Sequence, residues 1–90
     1  MKTSNLVGAY DAYTTTINQE TQDVFNQAFE GFVGVHYTPL AVSKQIVAGI
    51  NYRFFCNAKG VYPNSQNQGA IVTIHQPLKG TAEVKNIDIV

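Results

Sequence analysis

Apolar and methyl-bearing side chains recur at helical spacing only once in this chain, over residues 17–29. Ile17, Thr21, Val24, Phe25, Ala28 and Phe29 share one face, while Asn18, Gln19, Gln22, Asp23, Asn26, Gln27 and Glu30 fill the other. The pattern predicts one long amphipathic helix with an aromatic inner stripe. Thr16 and Gln19 have the spacing of a capping box, which places the start at Thr16, and Gly31 is the stop signal. A single helix with a single apolar face is a severe constraint. Whatever covers that face has to be built from strands.

The remaining residues carry strand patterns. Residues 1–9 form an arm whose only apolar pair is Leu6-Val7, followed by Gly8, and residues 10–13 alternate enough for a short strand. From residue 32 to residue 61 the alternation is that of strands. Pro39 interrupts it, which predicts a bulge or an unpaired stretch. Ile50, Tyr52, Phe54 and Cys56 fall on one face, and Asn51, Arg53, Phe55 and Asn57 on the other. Residues two apart share a side of a strand, so the first set is assigned to the helix. Residues 63–69 are polar and aperiodic and read as a loop. Residues 70–75 read as a strand, 76–80 as a turn with an apolar tip, and 81–90 as a last strand whose alternation slips between Val84 and Ile87. The expected fold is α+β, with an antiparallel sheet of four to five strands wrapped around one long helix. Residues 1–90 form one domain.

Composition excludes several classes of function. Hydrophobic residues make up 44% and charged residues 13%, so the chain is globular rather than disordered. Its formal net charge is +0 and no basic stripe is visible, which argues against nucleic acid as a partner. No stretch approaches a membrane span, and residues 1–10 hold no apolar run of signal-peptide length; the expectation is a cytoplasmic protein. Cys56 is the only cysteine, so no intramolecular disulfide forms and the thiol is expected in the core. His36 and His75 are isolated, and no metal or cofactor is expected. An enzyme needs a nucleophile and a base, and Cys56 with either histidine is the only such set. Cys56 falls on the face assigned to the core, where a thiolate is disfavoured, so the chain is not read as an enzyme.

The stretch Gln45-Ile46-Val47-Ala48-Gly49 stands where the chain should reverse between two strands. A tip is usually polar because it faces water. An apolar one is either buried by the fold or kept for a partner. These residues resemble the Q-x-V-x-G signature of the cystatins, inhibitors of papain-like cysteine proteases, and Ile50-Asn51-Tyr52 extends the likeness. Leu6-Val7-Gly8 resembles the family's N-terminal segment, and Pro77-Leu78 sits where the family carries its second hairpin. The absence of disulfides is similar to the stefin branch. Leu78 stands where many members have tryptophan, which offers less apolar contact. No asparagine lies in residues 30–35, so the family's legumain-type activity is not implied.

The resemblance implies a wedge. Leu6 and Val7 would lie in the non-primed subsites, and Gly8 would turn the backbone away from the reactive thiol. Gln45, Ile46, Val47, Ala48 and Gly49 would cover the catalytic centre, and Pro77 and Leu78 would press on the primed side. Inhibition would be reversible occlusion. The alternative is a non-inhibitory cystatin-fold domain that binds another protein through the same edge. A monomer is expected, and two strands joined by an apolar tip make a domain-swapped, inactive dimer possible.

Overall fold

The computed structural model describes residues 9–90. One helix, α1 (Gln19–Ala28), precedes four strands, β1 (Val35–Val47), β2 (Gly49–Gly60), β3 (Asn67–Gln76) and β4 (Glu83–Ile89). The strands form one sheet in the order β1-β2-β3-β4, each antiparallel to its neighbour. The architecture is α+β. Among the described residues, no helix is long and apolar enough to cross a membrane.

The helix is short, with 10 residues, which corrects the long helix read from the periodicity. Asn18, not Thr16, is the N-cap, and its side-chain oxygen accepts from the Thr21 N–H at 2.9 Å. Asparagine caps at least as well as threonine, so the nearer candidate ends the competition. Thr16 instead donates its N–H to the Thr14 hydroxyl at 3.1 Å, a local turn before the helix. At the other end Phe29 leaves helical geometry and its ring meets Phe32 and Tyr37 at centroid distances of 4.8 and 5.0 Å. Gly31 then adopts φ +88°, a conformation open to glycine that carries the chain away.

Strand faces follow the alternation. Tyr52, Phe54 and Cys56 of β2 are buried beside Val42 of β1 and Val72 and Ile74 of β3, with Ile50 partly buried against them. Thr21, Val24, Phe25 and Ala28 of the helix are buried on the same side. The Phe25 and Phe54 rings pack edge to face at 4.9 Å. The Gln27 amide oxygen accepts from the Ala82 N–H at 3.0 Å, joining the helix to the segment before β4.

Two irregularities fall where the sequence placed them. The β1–β2 register shifts between Pro39 and Ala41, leaving Leu40 as the extra residue, because proline offers no N–H to the ladder. The β3–β4 register shifts so that Lys85 is extra between Val84 and Asn86. The loop read over 63–69 is shorter at its end, because Asn67, Gln68 and Gly69 pair with Lys59, Ala58 and Asn57 and belong to β3. The segment read as a strand over 10–13 does not form one: Tyr10 makes an isolated bridge to Gln45, and Thr14, just after it, another to Val42, along the outer edge of β1.

Candidate functional site

The two apolar tips meet at one end of the sheet. β1 and β2 form a tight hairpin in which Val47 pairs with Gly49 and Ala48 alone stands between them. At the same end Ile50 pairs with Gln76, so the β3–β4 connection starts beside the first tip. Gly49 is buried at φ +98°, and a Cβ there would run into the Gln76 carbonyl oxygen and lie 3.0 Å from Pro77 Cα. Only glycine permits both the turn and this contact. The second tip is closed by the Gln76 side-chain amide, which donates to the carbonyls of Pro77 at 3.2 Å and Gly80 at 3.1 Å.

Ile46, Val47, Ala48 and Leu78 are exposed around this junction, and Pro77 is half-buried in it. Leu78 is 80% exposed, so most of its side chain faces solvent. Residues 45–49 and 77–78 hold no ionisable side chain. These residues offer apolar contact and backbone polarity, with the exposed Lys79 beside Leu78.

The third candidate segment, Leu6, Val7 and Gly8, lies outside the described residues. The described residues just after it have a defined position. The bridge between Tyr10 and Gln45 sets Tyr10 beside the first tip. Asp11 fixes this segment: its N–H donates to the Lys44 carbonyl at 2.9 Å, its carboxylate accepts from the Lys44 N–H at 2.8 Å, and its carbonyl accepts from the Ser43 hydroxyl at 2.5 Å. The Arg53 guanidinium lies 3.9 Å from the Tyr10 ring centroid, a stacked cation–π contact.

Gln45 does not face outward with the tip. Its amide oxygen accepts from Asn51 Nδ2 at 2.7 Å, and Asn51 Oδ1 lies 2.6 Å from His75 Nδ1. With the Asn51 oxygen as acceptor, His75 carries its proton on Nδ1. Gln45, Asn51 and His75 thus form a polar ladder across β1, β2 and β3 on the face away from the helix. Sequence reasoning missed Asn51 and His75 as members of this unit. The signal was the shared strand face of Asn51, Arg53 and Phe55, but the cross-strand partners depend on register. Tyr52, next to Asn51, points into the core; burial, and then the nearby Glu20 carboxylate, raise its phenol above the usual range.

Cys56 is fully buried, and its thiol sulfur lies 3.6 Å from the Phe54 carbonyl oxygen. Burial pushes its thiol up to about 12, so it stays protonated at neutral pH. His75 is engaged by Asn51, and His36 is exposed beside Tyr37 in β1. Among the described residues, no group of three or more His, Cys, Asp or Glu is placed to hold a metal ion. Compared with protein-family models, curated proteins and solved structures, the chain gives no match.

Proposed function

We propose that this protein is a reversible, occluding inhibitor of papain-like cysteine proteases, with a cystatin-like arrangement of sheet and helix. The observation that carries the reading is the junction of the two tips. Gly49 packs against Gln76 and Pro77 while Ile46, Val47 and Leu78 stay exposed around them. A protease cleft binds extended backbone and apolar side chains. The apolar residues of the tips enter it without desolvating a charge, while Lys79, exposed beside Leu78, would stay in water at the rim. A preformed junction loses little entropy on binding, so a standard interface of about 800 Å² per partner suffices. Leu6 and Val7 would add non-primed contacts from the flank where Tyr10 meets Gln45, with Gly8 turning the chain away from the catalytic thiol. No bond is cut in this scheme.

The test is a titration of active papain with the folded protein, read with a fluorogenic peptide substrate. The expected result is reversible inhibition close to one-to-one. Absence of inhibition by a verified folded protein overturns the reading and leaves the non-inhibitory interaction domain. In that case, binding of another protein that is lost on Ile46→Asp would place its contact at the same edge.

A further inference from the structure

The row of Gln45, Asn51 and His75 lies directly beneath both tips. Gln45 pairs with Asn51, and Asn51 with His75. The next rungs toward the tips are Ile46 with Ile50 and Ile50 with Gln76. On β1 the row therefore stands one residue before the exposed Ile46. On β3 it stands one residue before Gln76, whose side chain closes the second tip.

The links of this row run in one direction. Asn51 Nδ2 donates to Gln45 Oε1 at 2.7 Å, and His75 Nδ1 donates to Asn51 Oδ1 at 2.6 Å. Both distances are at the short end for hydrogen bonds of nitrogen to oxygen. All three residues are half-buried, so an amide left without its partner there is costly. The outer-face rows further from the tips are built differently. Ser43 and Arg53 turn to Asp11 and Tyr10. Ala41, Phe55 and Ile71, the row beyond, are apolar and line a hollow with Tyr13. The side-chain tie across three strands thus falls at the end of the sheet, where backbone pairing frays most easily.

We propose that His75 is a positioning residue for the two tips: acting through Asn51 and Gln45, its Nδ1–H ties β3 to β1 and sets where the second tip stands against the first. The use of that spacing rests on the inhibitory reading; the tie itself rests on the row alone. Free neutral histidine favours the proton on Nε2, so a proton held on Nδ1 is a signature of the bond to Asn51 and not of the ring. The role needs a donor at one place rather than an imidazole. His75→Asn supplies one, because the asparagine Nδ2 is bonded to Cγ as the histidine Nδ1 is. His75→Leu keeps the bulk and removes the donor.

Nitrogen-15 NMR of the full chain with the ring neutral reads the tautomer, and the expected result is Nδ1–H. Amide hydrogen exchange then compares the parent with the two variants. In His75→Leu, exchange over residues 46–50 and 75–80 should quicken by about tenfold, and in His75→Asn it should return to within about threefold of the parent. Residues 55–58, further along β2, should keep the parent's rates. Where the parent inhibits papain, His75→Leu should weaken inhibition by about tenfold and His75→Asn should restore it. A parent that does not inhibit removes the inhibitory reading, and the tautomer and the exchange rates still decide the tie. An Nε2–H tautomer overturns the proposal. So does tip exchange unchanged in His75→Leu, an equal acceleration along the whole of β2, or full inhibition by His75→Leu. Should His75→Leu fail to fold, the tautomer of the parent and the exchange rates of His75→Asn decide.

Discussion

Both ends of the sheet expose apolar side chains, but for opposite physical reasons. At the tip end the backbones of two connections are jammed together, and Ile46, Val47 and Leu78 protrude because nothing is left inside for them to fill. At the far end Val35 and Ile89 border an open hollow that Ser65, Gln66 and Gln68 also line. The first kind of exposure comes with a rigid frame. The second comes with unfilled space. An exposed apolar residue is therefore informative only together with the reason for its exposure.

The largest effect should come from the core that the two ends share. Phe54 is fully buried between the Phe25 and Tyr52 rings, at centroid distances of 4.9 and 5.7 Å. Phe54→Ala should cost about 3–5 kcal/mol in urea unfolding, enough to unfold much of a domain this small. It should loosen both ends together. If hydrogen exchange quickened at one end alone, the ends would be separate units rather than two edges of one core.

Next comes the frame of the tip end. Gly49→Ala forces a positive φ on an L-residue and drives its Cβ into the Gln76 carbonyl. A cost of about 2 kcal/mol is expected. The tips should part, and any inhibition of papain should weaken by more than about tenfold. A Gly49→Ala variant that inhibits as well as the parent would show that the junction does not position the tips.

Much of the fold was legible and some of it was not, and the division is physical. The alternation of Ile50, Tyr52, Phe54 and Cys56 named the buried face because side-chain direction is local to a strand. Pro39 located a bulge because its missing N–H is also a local property. The length of the helix was not legible, since Thr16 and Asn18 are both good caps and the periodicity starts at Ile17, before the cap that the chain uses. Asn67, Gln68 and Gly69 read as loop because they are polar, yet they pair with β2. The positions of the two tips could be read, but not that Gly49 makes its close approach to the second tip. The ladder from Gln45 to His75 needed the register of three strands.

A smaller effect probes how well the core is sealed toward the far end. Cys56 pairs with Pro39 and Ala70, on the far side of Phe54. Its thiol titrates near 9.0 when free and is pushed up to about 12 by burial. The unfolded chain ionises it from about pH 9, while the folded chain holds it neutral. Its contribution is thus complete below pH 9 and is lost as the pH rises toward 12, by at most about 1.4 kcal/mol per pH unit. Between pH 8 and 10 the stability of the parent should fall by about 1 kcal/mol more than that of Cys56→Ala. Equal losses, or rapid iodoacetamide labelling of the folded parent, would mean that the far end lets water reach the thiol.

The smallest expected effect is the far-end counterpart of Gly49→Ala. Gly60 ends β2 and also lines the open cavity. A Cβ there would meet the Ser65 hydroxyl oxygen at 2.8 Å, and the next contact, Ser65 Cβ, lies at 3.3 Å. The obstacle is the end of one side chain, which can rotate, rather than a backbone carbonyl held in a junction. Alanine also restricts the unfolded chain more than glycine does, which offsets part of any strain. Gly60→Ala should therefore change stability by no more than about 0.5 kcal/mol and leave papain inhibition untouched. Two glycines at opposite ends of the same strand are then separated by what their missing Cβ would strike. A loss at Gly60 as large as that at Gly49 would mean that the far end is as tightly framed as the tips, and the contrast between the two ends would fail.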